Sequence, residues 1–252
     1  MGAIQKGLIK IHKGSLGDST FSNTKDGFTI KPKKRESSNR KGAPNYARSR
    51  ENAVEFSQSS SCARLVRQSV NGLTGTTTDS KMMLKLSSTM AKIIALDPDR
   101  LRGSRMPTPQ NLTLLTGFSM NLSASLKDVF NSRFRISANR ARGEYNIYIP
   151  SFVPAACIRI PKTATHFQII SAASAIDFAA KEKEYIHAAS ERIALDNTPT
   201  QDIELLHTLT PGSIHPVLIF LGIQFLQVNA SEISIVANRK LDPLDIVEVV
   251  VE

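Results

Sequence analysis

The spacing of apolar residues changes near residue 118, and this change constrains the fold more than any other feature of the sequence. Before it, apolar residues recur every three or four positions, as on one face of an α-helix; after it, they alternate with polar residues, as in β-strands. Successive strands without intervening helices favour an antiparallel sheet over a parallel α/β fold. The sequence therefore predicts an α+β protein in which a helical hairpin precedes an antiparallel β-sandwich.

The predicted sandwich begins with a hairpin in which Arg133–Ala138 and Tyr145–Ile149 flank the turn Asn139–Gly143. Phe134 and Ile136 alternate with arginines in its first strand. Turn signals separate the remaining predicted strands, which lie at 165–177, 184–195, 202–209, 216–227, 231–237 and 244–251. Short strands separated in this way are typical of an antiparallel sandwich.

Two helices are predicted between the N-terminal region and the sandwich. The first begins near residue 45 or 49 and runs to about residue 70, before Gly72 and Gly75. The second begins near residues 78–80 and is stopped by Asp97-Pro98. Its apolar stripe consists of Met83, Leu86, Met90, Ile93 and Ile94. A short helical turn is predicted near residues 110–116.

A β-hairpin is predicted close to the N-terminus. Ser19–Asn23 and Gly27–Lys31 flank Thr24-Lys25-Asp26-Gly27, in which Asp-Gly supplies the positive-φ positions of a tight turn. Phe21, Phe28 and Ile30 give this hairpin an apolar side, and we interpret them as an assembly anchor. Because an isolated hairpin is marginally stable in water, it needs a surface on its own body or on a neighbouring subunit.

Positive charge is concentrated at the N-terminal end of the chain. Residues 1–70 contain 14 Lys and Arg against 5 Asp and Glu, whereas residues 71–252 contain 18 against 17. The N-terminal hairpin is therefore followed by a basic arm that presents a field to a partner. The predicted domains are the hairpin and basic arm (1–44), a helical segment (45–116) and the antiparallel β-sandwich domain (117–252).

The basic arm and the first helix contain the candidate contact residues for a neighbouring subunit or a nucleic acid. These residues are Lys31, Lys33, Lys34, Arg35, Arg40, Lys41, Arg48, Arg50, Arg64 and Arg67. Such a cluster can neutralise phosphates, or it can lie in an acidic groove of another subunit. Few aromatic residues lie among the cations, so any nucleic-acid binding is expected to be weakly specific.

The sequence contains no constellation that predicts catalysis, a metal or a cofactor. The glycine-containing loops at 14–20 and 72–78 lack the lysine of a phosphate loop. No histidine pair has metal-ligand spacing, although His166, His187 and His207 can meet across neighbouring strands. The neighbouring Arg64 can lower the pKa of Cys62, but no partner base is close in sequence. We therefore predict a non-enzymatic protein without a cofactor.

The sequence predicts a soluble, cytoplasmic protein with no membrane partner. Residues 1–12 lack the continuous apolar region of a signal peptide. The longest apolar run, Val217 to Leu226, is interrupted by Gly222 and Gln224 and is half the length of a membrane helix, so it reads as a buried strand. The two distant cysteines, Cys62 and Cys157, are expected to be free thiols in a reducing compartment.

Several motifs carry a resemblance to a protein family. Near the N-terminus they are Gly14-Ser15-Leu16-Gly17, Thr24-Lys25-Asp26-Gly27-Phe28 and Ala47-Arg48-Ser49-Arg50-Glu51-Asn52; further along they are Ile149-Pro150-Ser151-Phe152-Val153-Pro154, Ala164-Thr165-His166-Phe167 and His215-Pro216-Val217. Together they resemble a group of Bacteroidota proteins without an assigned function. The resemblance covers most of the chain, and its arginine-rich segment is the most specific part. It implies a cytosolic protein of shared architecture and carries over no catalytic or binding residue.

Two functions fit these features best, and a third, an enzyme with a pocket between the helices and the sandwich, would rest on structure that the sequence does not show. The first is a structural protein that self-assembles into a homo-oligomer or a polymer such as a tube, filament or shell, with the basic arm docking on neighbouring subunits. The alternative is a weakly specific nucleic-acid-binding protein that uses the same arm. The expected partner is therefore a second copy of the chain or a nucleic acid, and a coat protein with a basic arm combines both.

Overall fold

A computed structural model of the protein describes residues 3–5, 14–24, 27–33, 44–73, 80–229, 233–236 and 242–251. The chain divides into two compact units, Met1–Arg48 and Ser49–Glu252, and we call the second one the body. The first contains an antiparallel sheet, and the body combines helices with two further antiparallel sheets. The predicted α+β class is confirmed, with more of the regular structure in sheet than in helix.

Four strands form the N-terminal sheet in the described residues: β1 (Ala3–Gln5), β2 (Gly14–Leu16), β3 (Ser19–Thr24) and β4 (Gly27–Pro32). Their order across the sheet is β1-β4-β3-β2, with antiparallel neighbours. The pair β3–β4 is the predicted hairpin, which is confirmed. Gly27 has the positive φ that a tight turn needs, at 121°. The turn residues Lys25 and Asp26 lie outside the described residues.

The two predicted helices are confirmed as α1 (Ala47–Gln68) and α2 (Ser80–Ala95). A positive φ of 95° at Gly72 prevents α1 from continuing. The serine run at 57–61 stays helical, and the hydroxyls of Ser59 and Ser61 donate to carbonyl oxygens of the preceding turn at 2.9 and 3.0 Å. Three short helices follow in the chain: α3 (Pro109–Leu112), α4 (Leu126–Val129) and α5 (Pro154–Cys157).

The sheets of the body contain nine strands in the described residues: β5 (Arg135–Asn139), β6 (Glu144–Ile149), β7 (His166–Asp177), β8 (Glu182–Ala189), β9 (Ile193–Ala194), β10 (Ile203–Thr208), β11 (Val217–Val228), β12 (Ile233–Ile235) and β13 (Leu244–Val250). A three-stranded sheet has the order β10-β6-β5. In the larger sheet, β7 and β11 pair centrally, β8 and β9 flank β7, and β12 and β13 flank β11.

One strand prediction in this region is wrong. The segment 184–195 forms two strands, β8 and β9, instead of one continuous strand. The interruption falls at Ser190, whose hydroxyl accepts a hydrogen bond from the Ile169 N–H at 3.0 Å and donates to the Glu191 carbonyl at 2.8 Å. A side-chain oxygen thus takes a hydrogen bond that a strand carbonyl would otherwise accept, and the regular ladder ends there.

The central pair β7–β11 is covered on both faces, which makes the body a three-layer structure. On one face, Ile170, Ala172 and Ile176 of β7 share a hydrophobic core with residues of α1 and α2. On the other face, Phe167 and Ile169 share a second core with residues of β6 and β10. Strands covered on both sides need apolar residues at consecutive positions, which explains the nearly continuous apolar sequences of β7 and β11.

Two pairs of buried polar side chains, Ser171–His207 and Ser69–Ser174, are hydrogen-bonded inside these cores. The Nδ1 atom of the buried His207 lies 3.1 Å from the Tyr145 carbonyl oxygen, and its Nε2 atom lies 2.9 Å from the Ser171 hydroxyl. Because a carbonyl only accepts, Nδ1 carries the proton and Nε2 accepts from Ser171. On the opposite face, the Ser174 and Ser69 hydroxyls lie 2.7 Å apart. Burial lowers the pKa of His207, so this imidazole stays neutral.

We expect His207 to make the body sensitive to mild acid. As the pH falls below 6.5, the ordinary pKa of histidine, the unfolded chain takes up a proton that the folded chain does not, so the free energy of unfolding decreases. Urea titrations from pH 7.5 downward should show a weaker pH dependence for His207→Gln than for the wild type. The matched change His166→Gln, at a half-buried histidine, should leave that dependence close to wild type. Equal slopes for His207→Gln and the wild type would contradict this role.

Candidate functional site

The three residues predicted as an assembly anchor lie on one face of the N-terminal sheet. Phe21 in β3 stands opposite Ile30 in β4, and Phe28 lies two residues before Ile30 on the same strand. Side chains two apart on a strand, or directly opposite across an antiparallel pair, share a face. All three are only half-buried in the described structure. We call this surface the Phe21 face.

The other face of the same sheet carries hydroxyl groups and a cation. Among the residues whose side chains are described, it contains Ser15, Thr20, Ser22, Thr29 and Lys31. The Ser22 and Thr29 hydroxyls lie 2.7 Å apart, and those of Ser15 and Thr20 lie 3.3 Å apart. The exposed Lys31 thus lies on the face opposite Phe21. The apolar side chains of the Phe21 face and the ammonium group of Lys31 therefore lie on opposite faces of the N-terminal sheet.

Only part of the basic arm lies in the described residues. Lys31 and Lys33 are both exposed there. The backbone N–H of Lys33 donates to the Asp18 carbonyl at 2.6 Å, which continues the pairing of β4 beyond its end. Lys34, Arg35, Arg40 and Lys41 lie outside the described residues, so their role as contacts stays a prediction.

The predicted arginines of α1 lie mostly on its outer side. Arg48, Arg50 and Arg64 are exposed, and Arg67 is half-buried. At about 100° per residue, Arg50 and Arg64 lie opposite the buried stripe that contains Val66. The same helix geometry separates Arg50 from Arg64 by roughly 21 Å along the axis and places Arg67 one turn beyond Arg64. The outer side of α1 is therefore a cationic strip.

The sequence did not point to the exposed surface of the three-stranded sheet, which we call the outer face. It contains Arg135 of β5, Glu144, Asn146 and Tyr148 of β6, and Glu204 and Leu206 of β10. The Leu206 side chain is 58% exposed on this face. The Tyr148 hydroxyl donates to the Asp202 carboxylate at 2.7 Å; this bond lowers the pKa of Asp202 and raises the pKa of Tyr148. Glu144 and Glu204 on this face and Asp202 at its edge outnumber Arg135, which makes the outer face acidic.

A cavity of about 530 Å³ lies beside α1, and we call it the α1 cavity. Its walls come from α1, from the loop 97–106 that follows α2, and from the turn between β7 and β8. The lining residues are Val54, Ser57, Gln58, Ser61, Cys62, Leu65, Arg100, Met106, Phe178, Ala179 and Lys181. Because these residues come from three distant segments, no local pattern in the sequence reveals the cavity.

Asp97 organises the loop that forms one wall of the α1 cavity. Its carboxylate accepts hydrogen bonds from the Met106 N–H at 2.9 Å, the Asp99 N–H at 3.0 Å and the Arg100 guanidinium at 3.0 Å. These bonds, first of all the one from Met106, lower the pKa of Asp97 to about 2. The loop is tied back to α1 by the Gly103 N–H, which donates to Glu55 at 2.9 Å.

The side chains considered as candidate catalytic groups are buried in the structure. The thiol of Cys62 is 2% exposed, and burial raises its pKa to about 11, so the expectation that Arg64 lowers this pKa is wrong. The Ser171–His207 hydrogen bond is buried between the sheets with both residues at 0% exposure. The sequence allows His187 to meet His207 across neighbouring strands. In the structure, the Nε2 atom of His187 lies 2.9 Å from the Ser69 carbonyl oxygen instead.

Within the described ranges, no three His, Cys, Asp or Glu side chains are grouped as metal ligands. Over the same part of the chain, no helix combines the length and apolar character needed to cross a membrane. No family model, curated protein or solved structure matches the chain. The resemblance to the Bacteroidota proteins therefore stays a prediction.

We expect Asp97→Asn to loosen the loop at 97–106 and to lower the midpoint of thermal unfolding at pH 7. The stabilisation by Asp97 should be present above pH 3.8, the ordinary pKa of its carboxyl group, and should be lost as the pH falls towards about 2. The difference between the wild type and Asp97→Asn should therefore shrink over that interval. Asp99→Asn, which changes an exposed carboxylate of the same loop, is the control. A difference that persists unchanged at pH 2 would contradict the assignment.

Proposed function

We propose that the protein is a structural protein that self-assembles into a homo-oligomer or polymer, with the N-terminal sheet of one copy binding the body of the next. The observation that carries this proposal is the half-buried Phe21 face on a small sheet that forms its own compact unit. A sheet with one apolar side gains stability when that side is covered. Two phenylalanines and an isoleucine supply the apolar surface.

The contribution of these three residues to the binding free energy is modest. Full burial of a Phe or Ile side chain stabilises by about 1.5–3 kcal/mol, and these three residues are already partly covered, so each adds on the order of 1 kcal/mol. Micromolar association needs about 8 kcal/mol, so the Phe21 face supplies a central part of the contact, and surrounding polar groups supply the rest.

The charge distribution favours a head-to-tail contact over a symmetric one. The unit Met1–Arg48 contains 11 Lys and Arg against 3 Asp and Glu, a net charge of +8, whereas Ser49–Glu252 has a net charge of +2. A symmetric contact between two Phe21 faces brings two strongly cationic units together. A contact between the N-terminal unit and the body of another copy avoids this repulsion. Contacts of that type generate rings or filaments.

The outer face of the body is the acceptor that best fits the N-terminal sheet. It is itself a sheet surface, and two sheets stack at about 10 Å. The exposed Leu206 provides apolar area for the Phe21 face. Glu144, Asp202 and Glu204 offer carboxylates to the cations of the basic arm. The contact then combines apolar burial at its centre with opposite charges at its rim, as stable interfaces do.

The first test compares two charge-introducing variants on the same strand. Phe21→Asp places a carboxylate on the Phe21 face and should abolish assembly, as measured by size-exclusion chromatography with light scattering. Thr20→Asp introduces the same charge one residue earlier, on the hydroxyl face opposite Lys31, and should assemble like the wild type. Deletion of residues 1–44 should leave a folded body that does not assemble. Normal assembly of either Phe21→Asp or the deletion variant would refute the proposal.

Mixing experiments distinguish the head-to-tail contact from a symmetric one. Leu206→Lys places a cation on the outer face and should also abolish assembly on its own. An equal mixture of Phe21→Asp and Leu206→Lys retains one intact donor and one intact acceptor, so it should form dimers that do not extend. A mixture that stays monomeric would exclude the outer face as the acceptor.

The cationic strip on α1 favours a second candidate function, weakly specific nucleic-acid binding. Arg50 and Arg64 lie on the outer side of the helix with Arg67 at its flank, and arginines are common contacts of a phosphate backbone. The N-terminal unit adds its net charge of +8. This function is compatible with assembly, because the strip and the Phe21 face are different surfaces.

For this second candidate we expect micromolar binding of short single-stranded DNA at low salt. The logarithm of the association constant should fall linearly with the logarithm of the salt concentration. Fluorescence anisotropy measures both quantities. Charge reversal at Lys33, Lys34 and Arg35 together, or at Arg64 and Arg67 together, should weaken binding and reduce the salt dependence. Lys162→Glu, a reversal at an exposed turn of the body, is the control. Affinity that no arm or α1 variant reduces would count against nucleic-acid binding.

A further inference from the structure

We propose that the α1 cavity is a binding site for a small amphipathic carboxylate, a molecule with one negative charge and an apolar tail. This site is independent of the assembly surfaces, since neither the Phe21 face nor the outer face contributes to its lining. Its volume of about 530 Å³ falls within the range of roughly 300–1,000 Å³ that small-molecule sites occupy.

The floor of the cavity is apolar. Cys62, Leu65 and Phe178 are buried there, at 2%, 8% and 6% exposure, and Met106 is half-buried against the same core. Val54 contributes a further apolar group from α1 and is 50% exposed. The area that these side chains present is suited to an aliphatic or aromatic group, whose burial there provides most of the binding energy.

The mouth of the cavity is cationic. Arg100 and Lys181 are the charged residues among those that line it, and both are exposed at their ends. No carboxylate belongs to the lining. Arg100 is partly neutralised by its ion pair with Asp97 at 3.0 Å. Lys181 makes no ion pair with any residue in the described part of the chain. The mouth therefore offers the full positive charge of Lys181 and the charge of Arg100, which Asp97 partly neutralises. This net charge suits a ligand with a single negative charge.

The position of Lys181 is set by the turn between β7 and β8. The Asp177 carboxylate accepts hydrogen bonds from the N–H groups of Ala179 and Ala180 at 2.8 and 2.9 Å, and this fixes the turn. Lys181 then adopts a left-handed backbone conformation with a φ of 61°, which residues other than Gly, Asn and Asp rarely adopt. Burial raises the pKa of the Cys62 thiol, and the positive charge of Lys181 opposes this with a smaller lowering effect. Lys181 therefore contributes a positive charge to the lining of the cavity.

The geometry of α1 keeps the cavity open. Residues Ser57 and Ser61 face it with short side chains where a larger residue would fill the space. The Ser61 hydroxyl is directed back to the Ser57 carbonyl at 3.0 Å, so it does not project across the opening. Gln58 contacts Met106 and closes the side towards the loop 97–106. The cavity thus combines apolar lining residues with two cationic ones, Arg100 and Lys181.

Decanoate is a suitable probe, used below its micellar concentration with the full-length protein and followed by isothermal titration calorimetry. We expect saturable binding that weakens with salt. Decanol, which has the same tail without the charge, should bind at least tenfold more weakly. Equal binding of decanoate and decanol, or no saturable binding of decanoate, would overturn the proposal.

Three variants locate the site. Lys181→Asn removes the charge with a residue that tolerates the left-handed conformation, and it should lower decanoate affinity about tenfold. Lys162→Asn, at an exposed turn that does not line the cavity, should bind like the wild type. Ser57→Trp replaces an exposed helical serine and fills the cavity; it should abolish binding while circular dichroism shows an unchanged melting temperature. Wild-type affinity in a folded Lys181→Asn or Ser57→Trp protein would show that decanoate binds elsewhere.

Discussion

The antiparallel pairing of β7 with β11 supports every other part of the body. It runs from Ala175 and Val217 at one end to His166 and Leu226 at the other. Its two faces are the floors of two separate cores, one shared with the helices and one shared with the three-stranded sheet. Because the middle of the pair is buried on both faces, each buried polar group there needs a partner within the protein. Ser171 finds His207 on one side, and Ser174 finds Ser69 on the other.

The elements of the fold could be predicted from the sequence wherever a local period decided them. The stripe from Met83 to Ile94 predicted α2, and the alternation around Phe134 and Ile136 predicted the hairpin β5–β6. The break between β8 and β9 was missed because it depends on the Ser190 hydroxyl meeting Ile169, a contact between residues far apart in the chain. The stacking of helices on one face of β7–β11 was equally out of reach, since apolar runs indicate burial without naming what covers them.

The candidate sites also differ in how far the sequence predicts them. The sharing of one face by Phe21, Phe28 and Ile30 follows from strand alternation and hairpin register, both of which are local. The α1 cavity depends on Asp97, which the sequence presented only as the residue before a helix-stopping proline. Its carboxylate holds the Met106 N–H nine residues later, and this bond shapes a wall that no pattern in the sequence describes. The concentration of positive charge at the N-terminal end can be counted in the sequence. The acidic outer face cannot, because it forms only when β10, β6 and β5 lie side by side.

The long separation between the partners of the β7–β11 pair has a consequence for how the chain acquires its structure. Paired residues in it lie between 42 and 60 positions apart, and contacts of such range form slowly because a long loop must close first. During synthesis, α1 and α2 emerge well before β11 exists, so their apolar stripes have no sheet to cover them. Chains halted at that stage expose Leu86, Met90 and Ile93 to one another and to cellular chaperones. The helical layer is thus the first part of the body to be made, and its burial waits for strands that are synthesised much later.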